Sequence, residues 1–118
     1  MGCDGPSSRY TWKYGEASVF ELGELVLCGM TPLQAIAAGT LQTARAYGLD
    51  SRIGSVEAGK QADLLCVCGN PLDGIELLQD QSRVALVFMK GRVEYAGEAY
   101  KGYYTTRDDD EILPAGVK

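Results

Sequence analysis

Arg52-Ile53-Gly54-Ser55-Val56-Glu57-Ala58-Gly59-Lys60-Gln61-Ala62-Asp63-Leu64-Leu65 is where this chain changes character. Before it the apolar residues recur at helical spacing. After it they run together or alternate. Residues 52–56 predict a short strand and residues 57–60 a turn. Residues 62–68, Ala-Asp-Leu-Leu-Cys-Val-Cys, are a near-continuous apolar run closed by Gly69-Asn70-Pro71. Such a run suits a strand covered on both faces. Its period puts Cys66 and Cys68 on one face. Asp63 stands at the strand entrance, where a short carboxylate caps free backbone N–H groups. Glu57 and Lys60 are expected to face solvent at the turn.

Upstream, residues 17–28 predict a helix. Val19, Leu22, Leu25, Val26 and Met30 lie on one stripe, Ser18 and Glu21 fit a capping box, and Gly29 suits a left-handed C-cap. A second helix opens at Thr31 as N-cap, with Pro32 at the first helical position and Gln34 completing another box. Gly39-Thr40 is expected to break this helix, with Thr40 capping a third through Leu41, Ala44 and Tyr47. Gly48 should stop that one. Residues 1–15 read as a loop.

Downstream, residues 71–80 read as a crossing loop with one helical turn near Ile75 to Leu78. Residues 84–89 and 92–96, joined by Lys90-Gly91, predict a β-hairpin. From Gly97 the chain is tyrosine-rich, then acidic, and its last dozen residues are expected to be mobile or docked on a partner. The plan is a loop, three helices and a few strands, an α+β layout. The strands are too few to cover one another, so the sheet expects others from elsewhere.

Composition narrows the function. The chain has 118 residues, 46% apolar and 23% charged, which suits one globular unit. A net charge of −5 argues against nucleic acid as a partner. No segment has the apolar length to span a membrane. The N-terminus lacks the pattern of a secretory leader, so a reducing, cytoplasmic setting is expected. The four cysteines then read as reduced thiols rather than a disulfide framework. Two thiolates cannot close a tetrahedral zinc site by themselves, and the sequence contains no histidine.

The motif run Gly29-Met30-Thr31-Pro32-Leu33-Gln34-Ala35-Ile36, then Ile53 to Leu64, then Gly69-Asn70-Pro71-Leu72, resembles the C-terminal end of the amidohydrolase superfamily. The nearest members are imidazolonepropionase-like and prolidase-like. Val87-Phe88-Met89-Lys90-Gly91-Arg92-Val93 resembles that family's closing strand pair, and the likeness covers roughly residues 1–96. It implies the end of a (β/α)8 barrel in residues 1–51, part of a small β-sandwich in 52–98, and a Tyr-rich acidic tail in 99–118.

The family's chemistry, as the resemblance implies it, is metal-dependent hydrolysis of carbon–nitrogen bonds in amide, imide or dipeptide-like substrates. Zinc or another divalent metal activates water at the C-terminal face of the barrel. Gly2-Cys3-Asp4-Gly5 resembles the turn after the eighth strand, which implies Asp4 as the metal-binding and catalytic aspartate. The alternative for Asp4 is a plain loop or cap residue. The family's histidine ligands lie on barrel strands that have no match here. The chain alone is therefore expected to be non-catalytic and to hold no metal. Two other readings stand beside this one: an oligomerising or binding module, expected as a homo-oligomer that is strand-exchanged, and one chain of a split hydrolase whose partner bears the barrel.

Overall fold

The computed structural model describes residues 16–106 and 112–114, with side chains described for residues 16–102. The loop expected over residues 1–15 lies outside them.

Helix α1 spans Glu16–Leu27. It begins two residues before Ser18, so Ser18 is already helical. An N-cap needs a non-helical backbone, so the expected Ser18–Glu21 box does not start this helix. Its end follows the expectation. Gly29 has φ +103°, its N–H donates to the Val26 carbonyl (2.9 Å), and the Met30 N–H reaches the Leu25 carbonyl (3.1 Å). These two bonds satisfy carbonyls that the last turn leaves open.

Helix α2 spans Pro32–Ala37. The Gln34 N–H donates to Thr31 Oγ1 (3.3 Å) and the Thr31 N–H to Gln34 Oε1 (2.9 Å), the reciprocal box read from the sequence. The expected break at Gly39-Thr40 does not occur. A π-helical turn over Ala38–Gln42 carries the chain straight into α3, Thr43–Ala46. Thr40 Oγ1 donates to the Ile36 carbonyl and Thr43 Oγ1 to the Ala38 carbonyl, each at 2.7 Å. The wider turn shifts the amide ladder, and the two hydroxyls bond carbonyls along it. Thr40 thus works backwards along the helix instead of capping a new one.

The strand expected over 52–56 is absent. The N–H groups of Arg52 and Ile53 both turn to the Leu49 carbonyl, at 2.9 and 3.0 Å, and Gly54 takes φ +94°. Backbone spent on local turns cannot join a ladder. Residues 57–60 do form the turn, closed by Lys60 N–H to the Glu57 carbonyl at 3.2 Å.

Strand β1 is Leu64–Val67, β2 is Val84–Met89 and β3 is Arg92–Ala96. β2 and β3 form the expected hairpin. Lys90 (φ +53°) and Gly91 (φ +80°) are both left-handed, as a two-residue type I′ turn requires. β4 (Tyr104–Thr106) and β5 (Ile112–Pro114) add to it, giving an antiparallel sheet of order β1-β2-β3-β5-β4. Of the last dozen residues, which the sequence suggested were mobile or docked, Ile112–Pro114 is described and is a strand.

Among the described strands β1 lies at an edge of the sheet, and its Leu65 is 51% exposed. The reading of residues 62–68 as covered on both faces is therefore corrected. The neighbour that would cover the open side is not among the described strands. The step from Cys66↔Leu86 to Val67↔Val84 leaves Ala85 as an extra residue on β2, a bulge that bends the ladder there.

Small residues dominate the core. Ala17, Ala35, Ala44, Ala85 and Ala96 are buried, with Ile75 and Val93 as the larger members. Ile75 opens the 3₁₀ turn Ile75–Gln79, which packs on α1. Among the described residues no helix is long and apolar enough to cross a membrane.

Candidate functional site

A cavity of about 500 Å³ lies between α1, the π turn, the loop at residues 54–56 and β1. Its walls are apolar: Val19 and Leu22 from α1, Ile36 from α2, Leu64 and Leu65 from β1, and Leu78. Ser18, Thr40, Ser55, Gln61 and Asp63 supply its polar lining. Among the described residues, the charged side chain in this lining is Asp63, and Ser55 and Gln61 stand near it in sequence.

Three side chains of residues 55–60 form a clasp. Ser55 Oγ bonds Glu57 Oε1 at 2.6 Å, and Lys60 Nζ donates to Ser55 Oγ (2.6 Å) and to Glu57 Oε1 (3.3 Å). The Gly59 turn brings the lysine back over the serine. The hydroxyl of Ser55, then the Lys60 ammonium, hold the Glu57 carboxyl below the usual carboxylate range. Lys60 was expected to face solvent, yet its side chain is only 13% exposed. The sequence signal for the grouping was the spacing Ser-x-Glu-x-x-Lys about a turn glycine. Chemically the clasp is closed. The serine proton goes to a carboxylate and its oxygen accepts from a cation, so neither is offered to a substrate as a nucleophile–base pair would be.

Asp63 is bonded on both oxygens. The Lys90 backbone N–H donates to Oδ1 (2.8 Å) and Gln61 Nε2 to Oδ2 (2.6 Å). The Gly91 N–H reaches the Ala62 carbonyl at 2.9 Å. Asp63 thus caps backbone as expected, but the backbone is that of the facing hairpin turn rather than its own strand. The Lys90 N–H and then the Gln61 amide hold its carboxyl below the usual range. A carboxyl with a depressed folded-state pKa stabilises above its unfolded pKa, about 3.9, and loses that contribution as pH falls through the folded value. Asp63→Ala should therefore lower the thermal unfolding temperature at neutral pH. The deficit should narrow progressively below about pH 4. A deficit that stays constant across a pH series would refute this role.

The donor set does not fit a metal centre. Among the described residues no three His, Cys, Asp or Glu side chains come together. Cys28, Cys66 and Cys68 are free thiols, and Cys68 Sγ lies 3.8 Å from the Tyr100 hydroxyl. A tetrahedral zinc site needs three or four nitrogen, sulfur or oxygen ligands. Asp4, the aspartate singled out from the sequence, lies outside the described residues.

The profile of the Amidohydrolase family matches residues 1–93. An imidazolonepropionase of Desulfotalea psychrophila is 34% identical over 87 residues, covering 73% of this chain and 20% of that relative. A 5-methylthioadenosine/S-adenosylhomocysteine deaminase of Teredinibacter turnerae is 35% identical over 113 residues, covering 92% of this chain and 26% of that relative. Among solved structures, a Xaa-Pro dipeptidase with bound methionine in the active site superposes with a TM-score of 0.64. It is 35% identical and covers 72% of this chain and 20% of its own. The chain thus spans about a quarter or less of the length of these proteins.

Proposed function

This chain belongs to the amidohydrolase family, and we propose that it supplies non-catalytic scaffold to a metal-dependent hydrolase of carbon–nitrogen bonds. In this reading residues 1–51 carry the end of the barrel and its last helices. Residues 52–98 carry part of a β-sandwich, and residues 99–118 a tail. The relatives are named as an imidazolonepropionase, a deaminase and a dipeptidase. Their common denominator is attack of water at a carbon bonded to nitrogen, so the class of reaction carries over and the substrate does not.

One observation carries the reading: the sequence has the family's motif run but no histidine. A metal-activated water needs several ligands to hold the ion and leave one position open. Asp4 alone is one carboxylate. The ligands must therefore come from other residues, whether on the same polypeptide or on a partner. The helical layer has a surface suited to such a neighbour. Leu27 (81% exposed), Leu33 (62%) and Tyr47 (77%) are large apolar side chains left open, which favours packing against further barrel elements.

The purified 118-residue chain should hold no stoichiometric zinc by elemental analysis. It should also leave a panel of N-acyl amino acids, cyclic imides and Xaa-Pro dipeptides intact. Hydrolysis that is abolished by a chelator and restored by zinc would overturn the scaffold reading.

A further inference from the structure

The dipeptide Asp-Gly occurs at Asp4-Gly5 and at Asp73-Gly74, and the second lies among the described residues. A backbone nitrogen that follows an aspartate can attack that residue's own side-chain carboxyl. Glycine has no Cβ to screen its nitrogen. Hydrogen bonds to the carboxyl or to the amide oppose the attack, because they must first be broken. The four aspartates among the described residues, Asp50, Asp63, Asp73 and Asp80, divide on this point. Asp50 pairs with Arg45 at 3.9 Å. Asp63 is bonded on both oxygens. Asp80 accepts from the Ser82 N–H (3.0 Å) and hydroxyl (2.6 Å) and lies 3.6 Å from Arg83 Nε. Asp73 is exposed, and among the described residues no group bonds its carboxyl. The Gly74 N–H likewise has no hydrogen-bond partner among them. The turn is tied just before this step, by the Leu72 N–H on Asn70 Oδ1 and the Asp73 N–H on the Asn70 carbonyl, each at 3.1 Å.

We infer that Asp73-Gly74 is a site of spontaneous isoaspartate formation in this chain. The Gly74 nitrogen attacks Cγ of Asp73 while that carboxyl is in its acid form. A C–N bond forms, and the carboxyl hydroxyl leaves with the amide proton as water, which gives a cyclic imide. Water then opens the ring at one of its two carbonyls. Opening at the side-chain carbonyl restores aspartate. Opening at the main-chain carbonyl breaks the original peptide C–N bond, and the chain then runs through Cγ. The backbone is now longer by one methylene at the residue before Gly74. Ile75, 5% exposed and first in the 3₁₀ turn that packs on α1, follows directly. The Gly74 carbonyl also accepts the Leu77 N–H that closes the turn. Conversion therefore disturbs the seating of a core residue. The reaction joins neighbours in the chain, so it requires no partner and is independent of the scaffold reading.

The test incubates the purified 118-residue chain for weeks at neutral pH and physiological temperature. Isoaspartate is read with an isoaspartyl methyltransferase and a labelled methyl donor, and placed by peptide mapping with electron-transfer fragmentation. Label should accumulate on the peptide that contains residue 73 and not on those that contain Asp50, Asp63 or Asp80. Asp73→Glu keeps the charge but would have to close a larger ring, so its peptide should stay unlabelled. Gly74→Ala should slow labelling several-fold. Gly74 is extended, with φ −171°, and the atom nearest an added Cβ is Glu76 Oε1 at 2.5 Å, the movable end of an exposed side chain. Both variants should therefore keep the wild-type circular dichroism. Incubation should lower the urea midpoint of the wild-type chain relative to its fresh sample, and that of Asp73→Glu much less. Absence of label at residue 73 overturns the inference. So does label spread evenly over the four described aspartates, labelling at 73 that Gly74→Ala does not slow, or a midpoint that falls equally in wild type and Asp73→Glu.

Discussion

Gly54→Ala is expected to cost about 3 kcal/mol of stability, the sum of two penalties that the structure separates. The first is backbone strain. Gly54 has φ +94°, a region that costs a residue with a Cβ roughly 1 kcal/mol or more. The second is overlap. A Cβ at this position would lie 2.7 Å from Ala44 Cβ and 3.1 Å from Leu41 Cα. Ala44 is buried and Leu41 offers backbone, so neither end is a flexible side chain that can swing away. Relieving such a contact means moving the helical segment, at about 1–3 kcal/mol.

Gly59 is the internal control. Its φ is +89° and nothing lies within 4 Å of an added Cβ. Gly59→Ala should therefore show the strain alone, about 1 kcal/mol. Urea unfolding of the two variants gives the comparison as a shift in midpoint at constant slope. Equal losses would mean that the close approach of the 54 loop to α3 contributes nothing.

That approach also explains where the sequence was legible and where it was not. Local signals were readable because their physics is local. Thr31, Pro32 and Gln34 carry a box within one turn, and Lys90-Gly91 carries a turn type within two residues. The failures all involve partners distant in sequence or groups shared along a helix. Residues 52–56 look like a strand by composition. The Leu49 carbonyl takes two of their N–H groups, and Gly54 is drawn against α3. Gly39-Thr40 looks like a break by propensity, yet hydroxyl bonds from Thr40 and Thr43 accompany a helix that runs on. Asp63 caps backbone as its place at the strand entrance predicts, but the N–H is that of Lys90, 27 residues on, and no local spacing encodes that partner. For the candidate site, the clasp was present in the sequence as Ser55, Glu57 and Lys60. Charged turn residues usually face solvent, and nothing in the spacing alone says that Lys60 folds back over Ser55.

Ile75→Ala is expected to cost about 3 kcal/mol, within the 2–5 kcal/mol that buried Ile→Ala changes cost. Ile75 is 5% exposed in a core otherwise made mostly of alanines. Alanines bury little area each, so the transfer free energy of this one side chain is a large share of the total. It stands at the first position of the 3₁₀ turn that packs on α1. At its two ends the turn is closed by long bonds, Leu77 N–H to the Gly74 carbonyl at 3.2 Å and Asp80 N–H to the Leu77 carbonyl at 3.3 Å. A short 3₁₀ turn has little stability of its own, so packing on α1 contributes much of what fixes it. Ile75→Val should cost about 1 kcal/mol, and Leu33→Ala, at 62% exposed, close to none. Chemical denaturation of the three variants orders them directly. If Ile75→Ala matched Leu33→Ala, the packing of the 3₁₀ turn on α1 would contribute nothing to stability. If instead it unfolded α1 while amide exchange in β2 and β3 stayed protected, the 3₁₀ turn would hold the helix alone, and helices and sheet would be separate cooperative units.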